Sequence, residues 1–492
     1  MRVKLQKQRA ARVLLIALGA FAIASIVTVA LSTTPPRALT APAGYYVHHV
    51  PLPDRLPAVA PESVGMSAER LNEIATLVTR GVAAGGFPGA AVVIGRKGGR
   101  VMASGFGHTG WSPRAPAVSG DSTEYDLASL TKVVATTSAI MALYDDDVIS
   151  LDDPVSKWVP SFSGGAKDRV TIRDLLTHRS GLPPGRNVWK FMGDRSAAKR
   201  AVISTSLVAG CPPGSCFMYS DLGADMLGFV AEAAAHEPLD RFTERRIFGP
   251  LGMTETTFNP DSDEVRRLAP TGAPRGRVHD SNAAALGGVA GHAGLFSTAS
   301  DLAVFAQMLL DGGEYDGTRI FREGTVALFT KRTAGTRALG WDTCDSANVR
   351  STCGRYLSAR AFGHTGFTGT SLWIDPDREM FMILLTNRVD DPRVRRPERV
   401  IHDIRADIAD AAVLSVIDAR ASGILGSGTL ASSPGFRSDN RQRWQEPVSV
   451  RRVRAKRARA RINRGKHGTR TGRAPGSRAG TRAMQRSMRR HR

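Results

Sequence analysis

The stretch Asp126-Leu-Ala-Ser-Leu-Thr-Lys132 is the most informative part of the sequence. It places Ser129 and Lys132 three residues apart, at the start of an apolar-periodic segment that predicts a helix. Residues at this spacing lie on one helix face, so the Lys132 amine can approach the Ser129 hydroxyl. A serine hydroxyl needs an adjacent base to act as a nucleophile, and the positive end of a helix favours an anionic intermediate. Because the pattern also occurs at ordinary helix starts, its interpretation depends on companion motifs.

Two companion motifs follow in a fixed order along the chain. Tyr219-Ser-Asp221 lies near the middle, and His364-Thr-Gly366 lies just before a predicted strand that begins at Ser371. In this order the three motifs resemble those of the serine β-lactamase and penicillin-binding-protein superfamily, in the branch that holds class C β-lactamases, DD-carboxypeptidases and related esterases. The resemblance covers about residues 62–411, and several local signatures in that range support it.

The resemblance implies a role for each motif. Ser129 would attack a carbonyl carbon and form an acyl-enzyme, with Lys132 and Tyr219 sharing the general acid–base work. The backbone N–H groups of Ser129 and Phe367 would bind the oxyanion, and an edge strand would pair with the substrate. The residues implied to line the oxyanion and substrate site are Phe367, Asp221, His364, Thr365 and Gly366.

Two positions depart from the β-lactamase pattern. Asp221 stands where β-lactamases have asparagine, and its carboxylate is expected to pair with Lys132 and keep that amine protonated. The base role would then move toward Tyr219. His364 stands where many members have lysine, and this replaces a permanent cation with a group expected to titrate near neutrality. Both variants are similar to peptidase and esterase members of the branch.

Hydrophobic periodicity predicts an α/β (α+β) fold. Two β-hairpins are predicted, one within residues 90–106 and one within residues 371–386. Helices are predicted after Ser67 and over residues 400–417, and the middle of the chain reads as a mainly helical insertion. We therefore expect one antiparallel sheet, built from strands at both ends of the domain and flanked by helices.

The net charge of +22 would suggest nucleic-acid binding if it were spread over the whole chain, but the charge is concentrated at the two ends. Residues 437–492 hold 20 Lys and Arg residues against two acids, and the first twelve residues hold five basic residues and no acid. The body between them is therefore close to neutral, and this argues against nucleic acid as a partner. A hydrophobic content of 42% excludes a wholly disordered chain.

The two ends of the chain predict its location. Residues 1–31 combine a basic start with an uncharged apolar run over 13–31, which is typical of a signal-anchor or, alternatively, a cleaved signal peptide. Residues 32–60 read as a linker and residues 61–419 as the serine hydrolase domain. These features predict an extracytoplasmic enzyme, anchored to the cytoplasmic membrane by residues 13–31.

Residues 420–492 form an Arg-rich tail with few apolar side chains, and we expect this tail to be disordered. Its simplest interpretation is a solvated extension. The functional alternative is electrostatic contact with anionic lipid or wall polymer.

The four cysteines fall into two local pairs, Cys211 with Cys216 and Cys344 with Cys353. Four cysteines allow three connectivities, but the short loops and the predicted compartment favour these two disulfides over free thiols. Neither pair has CxxC spacing and no H-E-x-x-H motif occurs, so no metal or other cofactor is expected.

A glycine-rich segment at residues 278–297 contains two further histidines. His279 and Asp280 could suggest a Ser-His-Asp triad, but the chain contains no G-x-S-x-G nucleophile elbow. We therefore expect structural hydrogen bonding from His279 and His292, and also from His178.

Two functional hypotheses from different classes follow. In the first, the protein is an envelope serine hydrolase that acts on a small D-alanyl peptide or an ester through an acyl-Ser129 intermediate. In the second, it is a catalytically degenerate protein that binds wall peptides or penicillin and is tethered by its basic tail. Ser129, Lys132 and Tyr219 are all intact, which favours the enzyme, because a decayed site usually loses one of them.

Overall fold

A computed structural model of the protein describes residues 56–261, 267–345, 351–390, 398–417, 435–439 and 444. The predicted membrane segment and most of the predicted tail lie outside these residues. Within the described ranges, no helix combines the length and the apolar character that crossing a membrane requires.

The secondary structure alternates short strands with many helices. The strands are β1 (Gly89–Arg96), β2 (Gly99–Gly107), β3 (Tyr125–Asp126), β4 (Thr257–Phe258), β5 (Leu295–Ser297), β6 (Glu314–Tyr315), β7 (Thr318–Arg319), β8 (Asp342–Thr343), β9 (Phe362–Thr365), β10 (Ser371–Asp375) and β11 (Met380–Thr386). The α-helices are α1 (Ala68–Leu71), α2 (Glu73–Ala83), α3 (Ser138–Asp145), α4 (Val155–Trp158), α5 (Ile172–Leu176), α6 (Arg195–Ile203), α7 (Asp221–Ala235), α8 (Leu239–Thr243), α9 (Ser281–Ala285), α10 (Ala299–Leu310), α11 (Glu323–Thr330) and α12 (Glu398–Leu414).

The main sheet has six strands in the order β2-β1-β11-β10-β9-β8, and every neighbouring pair is antiparallel. Both predicted hairpins are present, and the first turns at Lys97 and Gly98, which both have positive φ as a tight two-residue turn requires. The N-terminal hairpin lies directly beside the C-terminal one through β1 and β11. The predicted fold, an antiparallel sheet with strands from both ends of the domain and an inserted helical region, is confirmed.

The sheet separates two hydrophobic cores because successive side chains of a strand point to opposite faces. In β1, Ala91 and Val93 pack into the core of the helical region, together with α3 and α10. Val92 and Ile94 pack into a second core with α2 and α12. Burial on both faces explains why β1 and β11 read as continuous apolar runs.

Both predicted flanks contribute residues to the folded body. At the linker end, the Val59 N–H donates to the Arg100 carbonyl on β2 over 2.9 Å. From the predicted tail, the N–H groups of Arg437 and Ser438 donate to the Asp407 carboxylate on α12 over 2.9 and 2.7 Å. The tail residues 435–439 therefore pack on α12, because a buried acidic side chain of that helix accepts their backbone N–H groups.

We expect Ile383→Ala to lower the free energy of unfolding by about 2–5 kcal/mol, because the side chain is fully buried in the central strand β11. Ile417→Ala is the matched control, since Ile417 is 54% exposed and should cost less than about 0.5 kcal/mol. Urea unfolding followed by circular dichroism measures both. Equal losses in the two variants would contradict the placement of β11 at the centre of the sheet.

Candidate active site

The backbone around Ser129 departs from the regular helix that the sequence predicts. Residues 128–130 form a 3₁₀ turn, and the segment Lys132–Thr137 that follows is π-helical. Ala128 has a φ of 47°, which is unfavourable for a residue with a Cβ atom. The Asp126 carboxylate stabilises this turn by accepting the N–H groups of Ala128 and His279 over 2.8 and 2.7 Å. Strained turns and π-helical segments of this kind cluster at functional sites.

The turn still brings the Lys132 amine to the Ser129 hydroxyl. Lys132 Nζ lies 2.9 Å from Ser129 Oγ, 2.8 Å from Asp221 Oδ1 and 3.2 Å from the His292 carbonyl oxygen. An ammonium group has three N–H donors and no acceptor. These three contacts therefore match a protonated Lys132 that donates to all three oxygens.

The surroundings of Lys132 keep it positively charged. Burial lowers its pKa, but the neighbouring Tyr219 and Asp221 raise it more strongly, to about 12. The carboxylate at position 221 thus pairs with Lys132 as the sequence-based reasoning expected. At neutral pH the amine is a hydrogen-bond donor to Ser129 and holds no lone pair that could accept a proton.

Tyr219 lies on the other side of Lys132 and is held by a histidine. Lys132 Nζ is 5.0 Å from the Tyr219 ring centroid, and the ring of His178 is 4.6 Å from the Tyr219 ring. His178 Nδ1 accepts the N–H of Ser220, the residue that caps α7. Burial, together with the nearby cations Arg337 and Lys132, holds the pKa of His178 well below its usual value. A neutral His178 can accept that N–H, and it fixes the start of α7 beside Tyr219.

His364 is buried and neutral, with its ring centroid 6.1 Å from that of Tyr219. Burial lowers its pKa to about 4, so the expectation that this group titrates near neutrality is wrong. The physical reason is desolvation of the charged form in a site where the nearest cations also disfavour protonation. His364 Nδ1 lies 2.9 Å from the Thr365 carbonyl oxygen and must carry its proton there, because a carbonyl only accepts.

Residues 366–370 link β9 to β10 and lie against the Ser129 turn. Thr368 Oγ1 donates to the Asp126 carbonyl over 2.8 Å, and Thr370 Oγ1 donates to the Leu127 carbonyl over 2.9 Å. A Cβ atom on Gly366 would overlap Thr370 Oγ1 and the Leu127 carbonyl oxygen. Glycine is therefore required for this close approach. We call residues 366–370 the oxyanion loop, after the role that the family resemblance implies for the Phe367 N–H.

The predicted substrate-pairing edge belongs to β9, which is not the outermost strand. The outer strand β8 pairs only with Phe362 and Gly363. His364 and Thr365, the last two residues of β9, lie beyond that overlap, whereas the Gly366 N–H already donates to the Thr370 carbonyl over 2.8 Å. The edge left for the predicted pairing is therefore limited to the end of β9.

A buried charge network lies behind Lys132. His292 Nδ1 lies 2.7 Å from Asp225 Oδ1, and His292 Nε2 lies 3.1 Å from Asp280 Oδ1. Burial alone would lower the pKa of His292, but the two carboxylates raise it well above its usual value. The imidazolium anchors the backbone segment whose carbonyl accepts from Lys132. Asp280 therefore pairs with His292 and not with His279, whose ring stacks on Phe367 with centroids 6.0 Å apart, and no Ser-His-Asp triad forms.

Sequence reasoning predicted structural hydrogen bonding for His178 and His292 and gave Asp126 no role. His178 supports Tyr219, His292 supports Lys132, and Asp126 stabilises the Ser129 turn. Each lies inside a distinctive stretch of the sequence: His178 in Leu175–Leu182, one of the local signatures that support the family resemblance, His292 in the glycine-rich segment 278–297, and Asp126 at the start of the Ser129 motif. In the sequence, only their position within these stretches could have identified the three residues. The side-chain contacts that give them their roles join residues far apart in the chain.

The cysteines pair as Cys211–Cys216 and Cys344–Cys353, with Cα–Cα distances of 5.5 and 5.7 Å. In the described part of the chain, no group of three or more His, Cys, Asp or Glu residues is arranged to hold a metal ion.

The fold and the site together define a serine hydrolase of the β-lactamase and penicillin-binding-protein superfamily. A family model described as Beta-lactamase matches residues 74–406, and the chain belongs to this family. The resemblance stated from the motifs is thereby confirmed.

Relatives of known sequence and structure agree with this assignment. A protein of Salmonella agona named "Putative D-alanyl-D-alanine carboxypeptidase" is 32% identical over 376 residues, which cover 68% of this chain and 87% of the relative. A protein of the same name from Escherichia coli O157:H7 is 33% identical over 372 residues, with coverage of 68% and 86%. Among solved structures, the hydrolase EstCE1 has a TM-score of 0.57 at 23% identity, covering 70% of this chain and 98% of its own. A penicillin-binding-protein homologue from Caulobacter crescentus has a TM-score of 0.56 at 20% identity, with coverage of 71% and 99%.

The neutral state of His364 predicts a specific pH dependence of stability. Its pKa is about 4 in the folded protein against 6.5 unperturbed, so between these values the unfolded chain binds more protons. Unfolding free energy should therefore fall as pH falls from 6.5 to 4, by up to about 1.4 kcal/mol per pH unit for this group. The variant His364→Asn keeps a donor for the Thr365 carbonyl but has no imidazole. Its unfolding free energy should therefore depend less on pH between 4 and 6.5 than that of wild type.

Urea unfolding at a series of pH values measures the difference between wild type and His364→Asn. The control is His236→Asn at the exposed C-terminal cap of α7, a left-handed position that asparagine tolerates. Identical slopes for wild type and His364→Asn between pH 4 and 6.5 would contradict a buried neutral His364.

Proposed function

We propose that the protein is an envelope carboxypeptidase that cleaves the terminal residue from a D-alanyl-D-alanine peptide through an acyl-Ser129 intermediate. The observation that carries the proposal is the contact of 2.9 Å between Ser129 Oγ and a Lys132 that is paired with Asp221. The relatives named for D-alanyl-D-alanine carboxypeptidase activity, of which this chain spans 87%, support the peptide substrate.

In the acylation step, Ser129 Oγ attacks the carbonyl carbon of the penultimate D-alanine. Lys132 donates hydrogen bonds and is not the base, so the Ser129 proton passes to the phenol oxygen of Tyr219 while the Tyr219 O–H proton passes to the leaving nitrogen. The Lys132 ammonium, 5.0 Å from the Tyr219 ring centroid, stabilises the negative charge that develops on the phenol oxygen during this transfer. The C–N bond breaks as the nitrogen is protonated, and Tyr219 ends the step carrying the proton from Ser129.

The tetrahedral intermediate carries negative charge on the former carbonyl oxygen. In the proposal, the backbone N–H groups of Ser129 and Phe367 receive this charge. Ser129 lies in the first turn of its helical segment, where N–H groups lack intrahelical partners. The Phe367 N–H donates to no other group among the described residues. Water then attacks the ester carbonyl. Its proton passes to the Tyr219 oxygen while the Tyr219 O–H proton passes to Ser129 Oγ, and the C–Oγ bond breaks to restore the Ser129 hydroxyl.

Hydrolysis of a carboxylic ester is the second candidate activity, and the neutral His364 favours it. A carboxypeptidase must bind the carboxylate of the leaving D-alanine, and position 364 supplies no positive charge for it. An ester with an uncharged leaving group needs no such cation. The acyl-Ser129 chemistry is the same in both cases, and only the leaving group differs.

The envelope location is part of the proposal. The supporting observations are the basic and apolar N-terminal sequence and the relatives' carboxypeptidase name. Contact of the Arg-rich tail with anionic lipid or wall polymer is proposed with it, as an electrostatic attraction that high salt would weaken.

We expect a fluorescent penicillin to label the wild-type protein covalently and Ser129→Ala not at all. Hydrolysis of a p-nitrophenyl ester and release of D-alanine from a pentapeptide should both fall by at least ~10³ in Ser129→Ala. Ser63→Ala, at an exposed site away from the cleft, is the control.

Retained turnover in Ser129→Ala would overturn the assignment of Ser129 as the nucleophile, and a wild type that no acylating probe labels would support the degenerate binding protein instead. The ratio of peptide to ester hydrolysis decides between carboxypeptidase and esterase.

Asp221→Asn should move the alkaline limb of the pH–rate profile into the measurable range. The pKa of Lys132 is about 12 with Asp221 beside it, and loss of one adjacent opposite charge lowers such a pKa by about 1–3 units. Wild-type hydrolysis of a p-nitrophenyl ester should therefore stay flat up to about pH 10, where the variant already declines as Lys132 loses its proton. Asp152→Asn on the surface is the control, and superimposable alkaline limbs would rule out the role given to the Lys132–Asp221 pair.

A further inference from the structure

An arginine on the last helix makes an unusual contact with the oxyanion loop. Arg405, on α12, donates from Nη2 to the carbonyl oxygen of Gly366 over 2.6 Å and to that of Thr370 over 2.8 Å. Among the described residues, no carboxylate forms an ion pair with it. Burial of the guanidinium and the nearby Arg388 lower its pKa to about 9. A cation held against two carbonyls without an acidic partner is costly to desolvate, and this calls for an explanation beyond packing.

The explanation lies in the peptide unit that Arg405 contacts. The Gly366 carbonyl belongs to the same planar peptide as the Phe367 N–H, and in a trans peptide these two groups point in opposite directions. A guanidinium that binds the oxygen therefore fixes the direction of the N–H. Its positive charge also polarises the peptide, which strengthens the N–H as a donor.

The rest of the oxyanion loop is held in a matching way. Arg388 Nη1 donates to the Phe367 carbonyl over 3.1 Å, and the Arg388 backbone N–H donates to the Thr368 carbonyl over 2.8 Å. On the opposite side, the hydroxyls of Thr368 and Thr370 donate to carbonyls of the Ser129 turn. Arg405 and Arg388 thus bind carbonyls of the loop, while its threonine hydroxyls bind carbonyls of the Ser129 turn.

We propose that Arg405 is a positioning residue for the oxyanion site, which it orients and polarises through the Gly366–Phe367 peptide. The proposal rests on the proposed function, because it assumes that the Phe367 N–H receives the negative oxygen of an acyl-Ser129 intermediate. Arg405 acts through the peptide and does not itself contact the substrate.

The two carbonyls do not depend on Arg405 for a hydrogen bond. The Gly366 N–H donates to the Thr370 carbonyl over 2.8 Å, and the Gly369 N–H donates to the Gly366 carbonyl over 3.0 Å. Removing the guanidinium leaves each carbonyl with one donor. The loop should therefore stay folded without Arg405, which separates a catalytic effect from a structural one.

The test compares Arg405→Met, which keeps the length of the side chain but removes the cation, with wild type. Acylation of the full-length protein by a fluorescent penicillin should slow by about 10–100-fold, less than the 10²–10³ seen when an oxyanion donor is deleted outright. Affinity for phenylboronic acid, whose tetrahedral adduct places an oxygen in the oxyanion site, should fall by a similar factor. KM for a p-nitrophenyl ester should change little, because the substrate ground state does not use the site fully.

Two further variants complete the design. Arg405→Lys keeps the charge and should recover part of the acylation rate. Arg399→Met, at an exposed position on the same helix, should match wild type. The thermal midpoint of Arg405→Met should stay within about 3 °C of wild type.

The proposal is overturned if Arg405→Met keeps the wild-type acylation rate and boronate affinity while Ser129 is still labelled. A loss of activity that follows a large drop in the thermal midpoint would also overturn it, since that indicates a structural role only. If wild-type Ser129 itself takes no label, the proposed function fails first, and this result is distinct from both.

Discussion

The site depends on one close approach between two halves of the protein, where the β9–β10 end of the sheet touches the Ser129 turn of the helical region. Thr368 and Thr370 make this contact through their hydroxyls, which donate to the carbonyls of Asp126 and Leu127. The absence of a side chain at Gly366 permits it. Without this junction, the Phe367 N–H and the Ser129 hydroxyl would belong to separate structural units and could not act on one carbonyl group.

Electrostatics around Lys132 divide the chemistry among the site residues. The three N–H groups of the ammonium donate to Ser129, Asp221 and the His292 carbonyl. In the proposed mechanism it therefore orients the nucleophile and stabilises negative charge, while Tyr219 transfers the protons. His178 and His364 are uncharged, so they add no positive charge near Lys132. A second layer of charge, the His292 imidazolium between Asp225 and Asp280, holds the backbone behind the lysine.

Much of the architecture could be predicted because its signals are local. The turn at Lys97-Gly98 and the apolar run of β1 identify the first hairpin, and the apolar runs of β10 and β11 identify the second. The local helix around Ser129 was predicted less well, since no local pattern reveals the left-handed Ala128 or the π-helical segment. The turn at Ala128 is held by contacts with Asp126 and the oxyanion loop. The predicted tail was likewise interrupted by residues 435–439, which bind a carboxylate on α12 that no local pattern reveals.

The sequence by itself determined the family, the order of the three motifs and the pairing of Lys132 with an acid in place of an amide. These depend on residue identity and spacing, which a linear reading preserves. Only the tertiary structure decided that His364 is neutral, that His292 is charged and that Arg405 lies on the Gly366 carbonyl. The physical reason is the same in each case: a charge state or a peptide orientation is set by burial and by partners from distant segments, and these meet only when the chain has folded.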